Sequence, residues 1–274
     1  MKAKVSRIAA MAVAAALFAA IAVGAVAQGK ERIVIRIATV DDAPYAFYHE
    51  LLSTALKEAG YDAEVVPSVP VPQKRALYML DNDEISLHWM VASAERDAAY
   101  VPVNVGLTNG LIGNRILFIP QGAQAIYDKV RTLDDFRNLG KVGGFGKNWF
   151  DVNVWKANNL KYYEVDGDWT VIYNMVAVGG RGIDYFSRGM NEIVAESKAH
   201  GNLEIEKNLV LVYDRDFKFY LGKSGAAYKD VIETALKKAK ASGLIDRLIR
   251  KHWAADFTAL NFDKRIKIIL KTPK

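Results

Sequence analysis

Several short motifs in this chain invite an enzymatic reading, and their spacing argues against each. Gly222-Lys223-Ser224 has the ending of a phosphate-cradling loop, but the glycine such a loop requires five residues earlier is Phe217. Gly144-Phe145-Gly146 begins a dinucleotide fingerprint, yet Trp149 stands where the third glycine belongs. No Gly-x-Ser-x-Gly elbow occurs to expose a nucleophilic serine. The histidines at 49, 88, 200 and 252 lack metal-ligand spacing, and the absence of cysteine excludes thiolate sites and disulfides. The chain is therefore expected to work without metal or cofactor. What remains is a binder's inventory: arginine forks such as Arg96 and Arg188, and aromatic faces such as Tyr45, Trp89 and Trp149. A guanidinium is permanently charged and donates two parallel hydrogen bonds to a carboxylate. His88 reads as structural.

Composition places these residues in an ordinary globular setting, with 51% hydrophobic and 25% charged residues. The first 27 residues read as a secretory signal. Lys2, Lys4 and Arg7 precede an uncharged apolar run from Ile8 to Val23, and Ala25-Val26-Ala27 supplies the small residues of a cleavage site. A membrane anchor is the competing reading of the same run. A lipid anchor would need a cysteine at that site. Cleavage after Ala27 would leave about 247 residues, enough for one large or two medium domains. It would also halve the formal net charge of +6, too mild a balance to point to nucleic acid or a membrane surface.

The elements that must position these side chains alternate in type. Strands are expected at 33–39, 63–67 and 85–90, with helices at 47–59 and 73–80 between them, a β-α-β-α-β order that makes an open, mostly parallel sheet. A strand at 115–120 precedes a second alternation: a helix at 133–139 capped by Thr132, a strand at 141–145, and a helix from Asn148 to Ala157. Further strands are expected at 171–173, 184–186 and 209–212, and a helix at 190–199. A strand at 217–221 leads into two closing helices, 226–241 and 244–252. The expected fold is α/β with two lobes. Residues 31–115 plus 222–274 would form lobe one, 121–216 lobe two, and hinge strands near 116–120 and 217–221 would join them around a cleft.

Three segments resemble type II periplasmic substrate-binding proteins, and most closely those serving amino-acid ABC transporters. Ser93-Ala94-Glu95-Arg96 resembles that family's Thr-x-x-Arg segment. Thr132-Leu133-Asp134-Asp135-Phe136 followed by Lys141-Val142-Gly143 resembles the opening of its second lobe, and 244–253 its ending. The resemblance implies that Arg96 clamps a ligand carboxylate and that Ser93 adds a hydroxyl. It implies that the Gly146-Lys147-Asn148-Trp149 turn binds the carboxylate's other side through backbone N–H groups, and that Tyr45 and Trp89 form aromatic walls. Lys147 either faces the cleft or points to water.

One departure bears on the ligand. Where family members that bind α-amino acids carry an aspartate for the ammonium, this chain has Arg188-Gly189. An arginine there favours a second anionic group. The resemblance thus implies a monomeric periplasmic receptor that closes on a small anionic solute and delivers it to an inner-membrane ABC permease. Its alternatives are a sensory protein signalling to a membrane partner, and a dehydratase-like enzyme on the same fold.

Overall fold

The computed structural model describes residues 32–40, 45–147 and 149–273. The expected signal segment, residues 41–44 and Asn148 lie outside the described residues. The first five strands are β1 (Ile33–Val40), β2 (Ala63–Val71), β3 (Leu87–Val91), β4 (Val101–Pro102) and β5 (Asn114–Pro120). Then come β6 (Val142–Gly146), β7 (Lys161–Val165), β8 (Tyr185–Gly189), β9 (Leu203–Ile205), β10 (Leu209–Val212), β11 (Phe217–Leu221) and β12 (Ile266–Ile269). The helices are α1 (Tyr45–Glu58), α2 (Gln73–Asp81), α3 (Ala94–Ala99), α4 (Leu133–Asn138), α5 (Phe150–Ala157), α6 (Val171–Val178), α7 (Met190–Ser197), α8 (Lys229–Ala241) and α9 (Leu244–Ala259). Among the described residues, no helix is long and apolar enough to cross a membrane.

These strands make two sheets. The first runs β2-β1-β3-β11-β4, with β1 parallel to β2 and β3, and β11 antiparallel to its neighbours. The second runs β12-β10-β5-β8-β6-β7, with β9 added beside β5. There β8, β6 and β7 are parallel, and β5 runs against both β8 and β10. Each parallel set aims the C-terminal ends of its strands at βα turns, the usual place for a ligand in an α/β sheet. In the first sheet those turns follow β1 and β3, and in the second they follow β6 and β8.

The strands at 114–120 and 217–221 do not bridge the sheets. Each belongs wholly to one, and the chain crosses just before it. Asp216 ties these two crossings together. Its carboxylate accepts the N–H groups of Thr108 (3.0 Å), Gly110 (3.1 Å) and Phe217 (2.7 Å) and the Thr108 hydroxyl (2.5 Å). Burial raises the Asp216 carboxyl above its usual range, and these bonds pull the other way. A Cβ at Gly106 would overlap this carboxylate, which accounts for the glycine.

A third crossing was not anticipated. After α9 the chain turns back, and β12 pairs in parallel with β10, Leu209 opposite Ile266 and Val212 opposite Ile269. Residues 266–269 therefore sit in the second sheet, whereas 222–274 was assigned to lobe one. Arg265 fixes the turn by donating to the carbonyls of Leu260 (2.8 Å), Glu206 (2.7 Å) and Leu209 (2.8 Å).

The segment 171–173, expected as a strand, begins α6. Ile172, Tyr173 and Val176 share its buried face, a helical spacing that the three-residue window could not reveal. The α4 start forms as expected. Thr132 Oγ accepts from the Asp135 N–H (3.1 Å) and Asp135 accepts from the Thr132 N–H (2.9 Å), a reciprocal cap.

Candidate functional site

The site residues expected from the sequence gather at these βα turns, but in unequal roles. Tyr45 opens α1 at 36% exposure, its ring 5.5 Å from His49. His49 contacts the Ala38 carbonyl oxygen at 2.7 Å, and burial lowers its pKa. Trp89 is buried, stacked on Tyr48 with ring centroids 4.7 Å apart. It is a core residue beneath α1 rather than an open wall.

At the end of β3, Ser93 caps α3 by accepting from the Arg96 N–H (3.3 Å), and its own N–H donates to the Tyr220 hydroxyl (3.4 Å). Arg96 turns its guanidinium back onto the Val91 carbonyl. No carboxylate of the described residues lies within ion-pair distance of it. Asp97, its obvious neighbour, is held by the Tyr220 hydroxyl (2.8 Å) and Lys218 (3.3 Å) instead. Burial lowers the Arg96 pKa, against the milder pull of Tyr220, Glu95 and Tyr100. A largely desolvated guanidinium with no carboxylate among the described residues in reach is ready for an anion.

The lobe-two turn behaves differently. Lys147 points to solvent and pairs with Asp166 at 2.6 Å, both side chains being more than half exposed. Trp149 folds over Gly146, where a Cβ would lie 2.5 Å from the indole nitrogen, so only glycine fits. The Trp149 ring packs against Trp169 at 5.3 Å.

Arg188 contradicts the expectation of a free cation in the cleft. Its side chain is 9% exposed, pairs with Glu196, and reaches Glu192 at 3.3 Å. Its guanidinium carbon sits 5.4 Å from the Trp149 ring, 5.1 Å from Trp169 and 5.2 Å from Phe186. Arg188 belongs to a larger network. Tyr213 donates to Asp151 (3.0 Å), Asp151 pairs with Arg115 (3.0 Å), and Arg115 lies 4.0 Å from Glu192. Its positive charge is therefore compensated inside the second lobe. Asp184, a further carboxylate of this lobe, is engaged too, by Lys141 at 2.9 Å.

Sequence reasoning passed over Arg215, on the crossing between β10 and β11. It donates to the Ala92 carbonyl (2.7 Å), and its guanidinium carbon lies 3.3 Å from the centroid of Phe150. Its Nε is buried without a hydrogen-bond partner among the described residues. The only sequence signal was a cation between two expected strands. Among the described residues, no group of three His, Asp or Glu side chains could hold a metal.

Solved structures share the fold. The probable amino-acid ABC transporter extracellular-binding protein of Bacillus subtilis is 15% identical, with a TM-score of 0.59 over 82% of this chain and 100% of that one. The fold is that of a two-lobed substrate-binding protein. An amino-acid ABC transporter substrate-binding protein from Streptococcus pneumoniae, bound to L-arginine, is 16% identical at a TM-score of 0.53, covering 82% of this chain and 95% of that one. A structure from the glutathione import system of Streptococcus mutans is 16% identical at a TM-score of 0.55, covering 81% and 95%. No family model and no curated protein matches the chain. At these identities the likeness establishes the two-lobed fold, and the ligands belong to those proteins.

Proposed function

We propose that the chain is an exported, non-enzymatic receptor that closes its two lobes on a small carboxylate-bearing solute and delivers it to an ABC importer in the inner membrane. One observation carries this reading: Arg96 stands in the first turn of α3, just after β3, largely desolvated and with no carboxylate of the described residues in ion-pair range. The bound ligands of structures with this fold, L-arginine among them, are consistent with a carboxylate there. The periplasm as the place of work rests on the expected signal segment. The preference for an acidic solute loses the support first sought in Arg188 and Lys147, whose charges are matched by Glu196, Glu192 and Asp166.

A thermal-shift screen of amino acids, dicarboxylates and small peptides tests the receptor reading. A solute at a hundred times its dissociation constant adds about 2.7 kcal/mol to stability. Arg96→Gln should then weaken binding by about 2–5 kcal/mol in calorimetry, as expected when a desolvated charge pair loses one member. A solute that binds both proteins equally would remove Arg96 from the site.

A further inference from the structure

Two arginines hang from consecutive carbonyls at the end of β3. Arg96 donates to the Val91 oxygen and Arg215 to the Ala92 oxygen at 2.7 Å. They reach that point from opposite directions, Arg96 from α3 in lobe one and Arg215 from the crossing. Neither has a carboxylate of the described residues within ion-pair distance, while the buried Arg115, Arg188 and Arg265 each have one. The acids flanking Arg215 do not reach its guanidinium. The Asp216 carboxylate is taken by Thr108, Gly110 and Phe217. Asp214 and Asp151 act on Arg215 only at longer range, as does Tyr213. Phe150, the first residue of α5, covers one face of the Arg215 guanidinium and leaves its edge for hydrogen bonding. The buried, unpartnered Nε lies on that edge. A buried donor left unsatisfied destabilises the structure until an acceptor arrives.

We propose that Arg215 is a second anion-binding residue of the cleft, and that with Arg96 it selects solutes carrying two acidic groups, dicarboxylates of short chain length. The proposal rests on the receptor reading and narrows it. Arg96 takes one carboxylate and Arg215 the other. Because Arg215 touches Ala92 of lobe one and Phe150 of lobe two, the second carboxylate binds where the lobes meet.

Calorimetry with succinate, glutarate and pentanoate tests it, pentanoate being glutarate with one acid replaced by a methyl group. Expected are binding of glutarate or succinate at least tenfold tighter than pentanoate, and at least a tenfold loss of dicarboxylate affinity in Arg215→Gln. Arg215 also anchors the crossing, so Arg215→Lys is measured beside it; the retained charge should recover part of the loss. The wild-type preference for the diacid needs no variant. Glutarate and succinate affinities within twofold of wild type in a folded Arg215→Gln would overturn the proposal. So would a wild-type protein that binds pentanoate or neutral amino acids better than either diacid, and that result would leave the receptor standing. A protein that binds none of these probes, and nothing in the wider solute screen, would overturn the receptor reading as well.

Discussion

Arg96, in the first turn of α3, and Arg188, near the end of β8, are the same residue type, and their surroundings give them opposite tasks. Glu192 and Glu196 follow Arg188 by four and eight residues, and a helix beginning at Met190 brings both onto its guanidinium. Arg188→Ala should therefore act on stability, leaving the half-buried Glu196 without its cation and Glu192 with only Arg115 at 4.0 Å. A loss of about 3–5 kcal/mol in urea unfolding is expected. His88 makes a second prediction at this scale. Both its ring nitrogens are buried without partners among the described residues, and desolvation, aided by the charge of Arg96, pushes its pKa down to about 3. The unfolded histidine titrates near 6.5. Between those values the unfolded chain holds one more proton than the folded one, so stability falls as the pH drops through that window. The slope approaches about 1.4 kcal/mol per pH unit. Unfolding midpoints at pH 7, 6 and 5 should fall less steeply in His88→Leu, and equal slopes would show that His88 is protonated in the folded state. The position of Arg96 at its turn was legible because a four-residue segment carries it. The compensation of Arg188 was not, since nothing in Arg188-Gly189 itself says whether the following helix supplies acids to the strand or to solvent.

At the scale of elements, local signals were read well where the chain supplies its own cap or period. Thr132 and Asp135 announce α4 by spacing alone, and Thr132→Ala should cost about 1 kcal/mol of unfolding free energy. Recovery of full stability in that variant would mean the cap is redundant. The α6 segment misled because Val171-Ile172-Tyr173 has strand-like residue types, and only Val176 and the residues after it reveal the helical face. β12 escaped notice for another reason. Four residues, Ile266-Lys267-Ile268-Ile269, make no case for a strand until β10, more than fifty residues earlier, is known to offer an edge. Removing the chain from Ile266 onward should destabilise the protein more than Thr132→Ala does. It exposes Leu209 and Leu211, both fully buried, and takes away the cover of the Arg265–Glu206 pair. Chemical denaturation of the truncated protein decides this, and an unchanged midpoint would show β12 to be an ornament of the sheet.

For the whole molecule, the two-sheet plan followed from the alternation of elements. The number of crossings did not, because the third depends on pairing remote in sequence. One apolar cluster runs from Ile37 and Leu87 on the first sheet and Leu52 on α1 to Ile116, Phe118 and Phe186 on the second sheet. Shared packing of this kind couples the lobes. Calorimetric unfolding is expected to show one cooperative transition, and two resolved peaks would mean that the lobes melt separately. The return of the chain to β10 also sets an order in time. Ribosomes release β12 after every other strand, so β10 waits for its neighbour while α8 and α9 are still being made. Chains arrested before Ile266 should thus keep β10 open to protease, and those arrested well beyond Ile269 should not. The second sheet is completed by β12, although its first strand, β5, was made some 150 residues earlier.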